Sequence, residues 1–320
     1  MIRINNVKLQ LGFTEADVRS VIKKTLKTDK EFEYIFFKLS LDDRRRNQVK
    51  YIASIDVDVP NPEKLLKRLH NNNVMLTNAT QYRFPEPGNV KMTYRPVVIG
   101  TGPGGLFAAL YLARAGYRPV VFERGMDVDR RMEHIERFWK GEEGLDPNCN
   151  VQFGEGGAGT FSDGKLTTRI GDALCGFVTE VFLEHGAPAE IAWKQKPHVG
   201  TDLLRGVITS IRREIESLGG EVHFNTALTG FERRDGKLTG IQTTQGSFPC
   251  EALVFAVGHS ARDTFGMLMD SGLVLECKPF SVGFRAEHLQ SEIEKSLYHE
   301  AAGHPALPRG EYQLLSLIHI

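Results

Sequence analysis

Residues 95–125 read RPVVIGTGPGGLFAALYLARAGYRPVVFERG. The run Val97–Ile99 is short and continuously apolar, the pattern of a parallel-sheet strand covered on both faces. It passes directly into Gly100-x-Gly102-x-x-Gly105, then into the helical stretch GLFAALYLARAG and a second strand, YRPVVFE. The first glycine permits a tight turn, the second lets backbone approach a pyrophosphate, and the third lets helix and strand pack closely. The helix start adds free N–H groups and partial positive charge. Glu123 closes the second strand about 20 residues on, where an acid accepts hydrogen bonds from ribose hydroxyls. Gly100, Gly102, Pro103, Gly104, Gly105 and Glu123 are thus the first candidate cofactor-binding residues. The fingerprint does not tell FAD from NAD, and Arg124 adds a possible partner for the 2′-phosphate of NADP.

Downstream, NVQFGEGGAGTFSDGKLTTR (150–169) crowds five glycines into a few positions with almost nothing apolar to bury. Such a loop loses much conformational freedom on folding, and the expected return is close backbone approach to a ligand. A plain NAD domain does not need it, whereas the ribityl chain and ring system of FAD extend beyond the first phosphate site. Gly156, Gly157, Gly159, Thr160 and Ser162 join the candidates on this ground. Ser162, Asp163 and Lys165 could face a flavin ring, with Lys165 as a cationic partner of flavin N1. His198 in KPHVGTD and His259 in VGHSARD are candidates for proton transfer, because histidine titrates near neutrality. Arg285 and His288 in FRAEH are weaker candidates for the substrate side. No histidine–carboxylate grouping has metal-ligand spacing, so no metal is expected.

Residues 1–90 alternate differently: strand, helix capped by Thr14 with Asp17 reaching back, two strands joined by DDRRRNQ, helix, strand. Asn61 is the expected cap of the second helix, Pro62 its first residue, and VMLTNATQYRF (74–84) the last strand. The order βαββαβ predicts a ferredoxin-like α+β domain. QYRFPEPGN is the expected linker. Beyond the glycine loop come a helix over LLRGVITSIRREIESLG, the strand EVHFN, a three-stranded meander broken at RRDGK and QGS, and the strand ALVFAVG.

The 320 residues hold forty basic and forty acidic side chains, so no global field draws the chain to nucleic acid or an anionic membrane. Arg44–Arg46 lie in a predicted turn, and the third strand, VKYIASIDVDV, lacks paired stacking aromatics, so RNA binding is disfavoured. The four cysteines form no C-x-x-C pair, as expected in a reducing compartment. No signal peptide and no membrane-spanning run is read, and the expected location is cytoplasmic.

RPVVIGTGPGGLFAALYLARAGYRPVVFERG, DPNCNVQFGEGGAGTFSDGKL, KPHVGTDLL, VFAVGHSARDTFGML and KPFSVGFRAEH together resemble bacterial NAD(FAD)-utilising dehydrogenase-like proteins. These are similar in turn to flavoprotein oxidoreductases with a glutathione-reductase-like FAD domain. The resemblance implies FAD as cofactor, NAD(P)H as a candidate electron donor and a small-molecule substrate. It also implies a two-dinucleotide-type, Rossmann-like α/β domain with a β-meander, in which Val222 lies near the adenine and Gly258 closes over the cofactor. The expected domains are 1–90 (ferredoxin-like), 95–170 with 196–270 (split FAD-binding), and 171–195 with 271–320 (partial substrate domain, truncated after GEYQL). FAD-dependent oxidation–reduction is the expected function. An FAD-containing RNA-modification protein and a non-catalytic dinucleotide-binding module are the alternatives.

Overall fold

In the computed structural model the described residues are 1–320 except 46–47, 78–81, 162–163, 167, 169, 196, 280–285 and 313–320. The chain divides into two compact units, 1–80 with 192–195 and 279–320, and 81–191 with 196–278.

The first unit follows the expected order: β1 (Ile2–Leu9), α1 (Glu15–Leu26), β2 (Tyr34–Asp42), β3 (Lys50–Val57), α2 (Pro62–Leu69) and β4 (Val74–Leu76). Its strands form one antiparallel sheet in the order β2-β3-β1-β4. Ile2, Ile4, Val7 and Leu9 of β1 are all buried, which strict alternation forbids. A bulge resolves this: the register shifts between Ile4 and Val7, and Asn6 takes φ 58 there. α1 has the expected capping box of Thr14 and Asp17, and it buries Val18, Ile22 and Leu26 at four-residue spacing. Two expectations fail. Asn61 sits in the left-handed region at φ 53 with no side-chain cap bond, leaving Pro62 as the start signal of α2. The last strand ends at Leu76 rather than Phe84. Trp193 and Gln195 add backbone hydrogen bonds to Leu39, so the segment 192–195 lies along the open edge of β2.

The second unit is layered. β5 (Val97–Ile99), β6 (Val120–Phe122), β7 (Glu221–His223) and β11 (Leu253–Phe255) form a parallel sheet in the order β11-β5-β6-β7. Val98 and Val121 point to one face and meet α3 (Pro103–Arg114), α5 (Leu174–Glu184) and α6 (Thr201–Ser217). Val97, Ile99 and Phe122 point to the other and meet the meander β8 (Leu228–Arg234), β9 (Lys237–Thr243) and β10 (Gly246–Pro249). Burial on both faces is the physical reason the two central strands, VVI and VVF, read as unbroken apolar runs. This is the expected Rossmann-like α/β sheet with its meander. α4 (Val128–Trp139) and α7 (Arg262–Asp270) complete the unit, while α8 (Gln290–Tyr298) belongs to the first. Among the described residues, no helix is long and apolar enough to cross a membrane.

Candidate functional site

The three fingerprint glycines divide the work. A Cβ on Gly105 would stand 1.9 Å from the carbonyl oxygen of Gly100, and one on Gly100 would stand 2.5 Å from that of Ala256. These two are glycine because backbone crosses backbone. Gly102 and Gly104 differ: a Cβ on either meets nothing within 4 Å. They face a cleft of about 400 Å³ at the carboxyl ends of β5, β6 and β11, where open α/β sheets bind ligands.

Glu123 lies buried on the cleft floor. Its Oε2 accepts from the Thr101 N–H at 2.8 Å and the Thr101 hydroxyl at 2.7 Å, and its Oε1 accepts from the Gly125 N–H at 2.8 Å. A carboxylate offers about four acceptor positions, so the acid that shapes the fingerprint turn keeps acceptor capacity on Oε1 for a ribose hydroxyl. Arg124 lines the cleft with its guanidinium over the Phe153 ring, 4.9 Å from the centroid. It is already engaged, donating to both Asp263 oxygens (3.1 and 2.7 Å) and to Asn148 Oδ1.

Of the residues read from sequence, Gly100, Gly102, Pro103, Gly104, Glu123, Arg124, Gly157, Gly258 and His259 line this cleft together. Gly105 lies behind it, as its packing role requires. Gly156 faces inward instead: it donates its N–H to the Thr101 carbonyl, and a Cβ there would meet Ile208 and Thr160 side chains at 2.5 Å. Thr160 is buried, its hydroxyl donating to the Gly157 carbonyl. Gly159 and Val222 are not among the lining residues, and Val222 packs with the helical core. Lys165 and His198 meet as an isolated antiparallel bridge, away from the cleft lining. His288 belongs to the first unit, where its Nδ1 lies 2.7 Å from the Tyr312 hydroxyl. Ser162, Asp163, Arg285 and Arg46 lie outside the described residues, and Arg44 is paired with Asp42 at 2.7 Å.

Three charged residues that sequence reading passed over hold the glycine loop. Arg131 of α4 is fully buried and donates to the carbonyls of Asn150, Val151, Glu155 and Gly157 and to the Thr160 hydroxyl, at 2.7–3.0 Å. Glu155, also fully buried, accepts the Val128 N–H at the start of α4 (2.8 Å) and Arg212 Nε from α6 (2.7 Å). Burial pushes the Glu155 carboxyl up, against the pull of Arg212. A signal was present: Val128, Arg131 and Ile135 share the buried stripe of α4 at helical spacing. Behind the loop a smaller hollow of about 250 Å³ is lined by Ile135, Phe138, Leu145 and Cys149, with His134 Nδ1 held 2.6 Å from Glu143. Burial raises the Cys149 thiol, against the pull of the Met126 N–H and Arg131.

Two family models match parts of the chain. Residues 98–146 match the model of an NAD(P)-binding Rossmann-like domain, and residues 205–312 that of FAD dependent oxidoreductases. The fingerprint segment thus matches a nucleotide-binding family model, and a later segment matches a family described as FAD-dependent. The chain is 45% identical over 98% of its length to an uncharacterized protein of Clostridium beijerinckii, of which it spans 59%. Among solved structures, it is similar to Thermovibrio ammonificans THI4 (19% identity, 56% of this chain, 63% of that one, TM-score 0.36). It is also similar to glycine oxidase from Bacillus cereus (13%, 56% and 58%, TM-score 0.37).

Proposed function

We propose that the chain binds FAD in the cleft above β5 and β6 and works as an oxidoreductase on a small-molecule substrate. The observation that carries this is the split among the glycines: two are locked by packing, while Gly102 and Gly104 leave bare backbone facing the cleft beside a buried acid. Bare backbone at the start of α3 suits a diphosphate, and Glu123 suits the adenosine ribose. When bound, flavin supplies hydride chemistry, and the protein supplies orientation and electrostatics. On that reading Gly102 and Gly104 admit the diphosphate, Glu123 fixes the sugar, and Gly157 with Ala158 closes the far wall. His259, exposed in the cleft lining, can hold a proton at its imidazole. NAD(P)H is the proposed electron donor. The cytoplasm is the proposed location, since all four cysteines are free.

The test is to purify the full-length protein, identify any released cofactor by mass, and titrate the apoprotein with FAD. Yellow protein releasing FAD is expected, with Glu123→Ala weakening FAD by about 10-fold or more, the worth of one or two charge-assisted bonds. Glu123→Gln, which keeps the shape, separates loss of the acid from disturbance of the turn. A colourless protein that takes up no added FAD overturns the proposal.

A further inference from the structure

Arg131 is an expensive residue to bury. Its hydrogen bonds end on neutral acceptors, four of them carbonyls, all within residues 150–160. The face of the guanidinium lies over the Phe161 ring, 4.7 Å from the centroid. Gly154 is glycine because the Arg131 stem passes it: a Cβ would stand 2.5 Å from Arg131 Cδ. The nearby acid Glu155 is bonded to Arg212 instead. Burial brings the guanidinium down to about 10, so it stays charged at neutral pH. Glu123 and Glu155 act on this cation through space, but no carboxylate is hydrogen-bonded to it, and in low dielectric its field extends beyond its own bonding shell.

That reach has a direction. Arg131 Nη1 lies 2.9 Å from the Gly157 carbonyl, and a Cβ on Gly157 would stand 3.2 Å from Pro103 Cδ and 3.6 Å from Gly102 Cα. One peptide layer thus separates the cation from the turn that faces the cleft. A trans peptide points its N–H opposite to its carbonyl. The Ala158 N–H is therefore turned away from Arg131, and Ala158 lines the cleft.

Resting on the dinucleotide reading of the cleft, we infer that Arg131 is a positioning residue for the cofactor's diphosphate. It sets the 150–160 loop against the fingerprint turn and supplies positive charge from behind. It acts on the phosphates and not on the adenosine half. Losing a loop-holding role alone would weaken every ligand alike; losing charge from behind weakens only the anionic ones.

The experiment compares FAD, ADP and adenosine binding by calorimetry to the full-length apoprotein as wild type, Arg131→Met, Arg131→Lys and Arg114→Met. Arg114 pairs with Glu184 and Glu214 on the same unit without lining the cleft, so its variant controls for general destabilisation. Arg131→Met is expected to weaken FAD and ADP by about 30-fold and adenosine by less than about 3-fold, a loss of the size a buried cation supplies. Arg131→Lys, keeping charge with fewer bonds, is expected to recover most of the ADP preference, and Arg114→Met to leave the ADP-to-adenosine ratio unchanged. Equal losses for ADP and adenosine overturn the inference, as does wild-type ADP binding by Arg131→Met. Should Arg131→Met not fold, Arg131→Gln, which removes the charge but keeps polar contacts, decides: an ADP-to-adenosine ratio lowered by about 10-fold or more supports the inference, and an unchanged ratio overturns it. Wild-type protein that binds neither FAD nor ADP overturns the cleft reading itself, an outcome distinct from any failure confined to the variants.

Discussion

The molecule has two glycine-rich loops, and glycine is needed in them for different reasons. In the turn 100–105, Gly105 and Gly100 are forced by backbone oxygens 1.9 and 2.5 Å from where a Cβ would stand. In the loop 154–160, Gly154 and Gly156 are forced by side chains, those of Arg131, Ile208 and Thr160. Backbone in a sheet and helix start cannot retreat, and neither can the buried, fully bonded Arg131 beside Gly154, whereas the Ile208 and Thr160 side-chain ends beside Gly156 can. The first loop should therefore be brittle and Gly156 in the second more forgiving.

Gly105→Ala is the hardest blow to that contrast. It should cost about 3 kcal/mol or more and lower the melting temperature by roughly 10 °C in thermal unfolding. Gly156→Ala, at φ 82 but against movable ends, should cost ~2 kcal/mol. If it proves as damaging as Gly105→Ala, the contrast is broken.

Arg114 of α3, with Glu184 of α5, joins the helix leaving the first loop to Glu214 of α6. Hydrogen bonds from Arg114 hold the Glu214 carboxyl below its usual 4.5, with His185 assisting. A carboxyl lowered on folding stabilises fully above its ordinary pKa and loses that contribution as pH falls through the lowered one. Glu214→Gln should thus cost roughly 1 kcal/mol at pH 7, allowing for partial exposure, and nothing once acid has protonated the wild-type group. Melting curves of the two proteins should converge as pH falls below the ordinary glutamate range and through the lowered value of Glu214. Smallest for stability is Gly102→Ala, within ~0.5 kcal/mol, since φ is −63 and the site is open. Its effect should fall on the ligand, with FAD weakened about 100-fold in a titration as the methyl occupies the approach to the phosphates.

The same difference explains what could be read from sequence. Backbone-on-backbone packing demands glycine at fixed spacing beside a strand, so the first loop and the parallel sheet were legible in VVIGTGPGG and its neighbours. The second loop is organised by Arg131, Glu155 and Arg212, and a buried arginine in DRRMEHIER looks like any solvated one unless the helix stripe is followed. From sequence alone Gly156 and Thr160 look like ligand contacts for that reason. Their glycine and hydroxyl chemistry serves the loop's own packing. Val222 was placed by analogy with related architectures, but its alternation along β7 turns it to the helices. Asn61 had the right chemistry for a cap, yet Pro62 alone marks the helix start, and local preference had nothing to say about it.

The pairing of residues 192–195 with Leu39 has a consequence for how the polypeptide emerges from the ribosome. The amino-terminal sheet borrows its outermost hydrogen bonds from residues synthesised much later, after the first two strands of the parallel sheet have appeared. Until then β2 is an uncovered border with Ile35 and Phe37 beside it, both exposed even in the finished protein. A fragment ending near residue 77 should accordingly stick to itself during expression, where the longer chain stays dispersed.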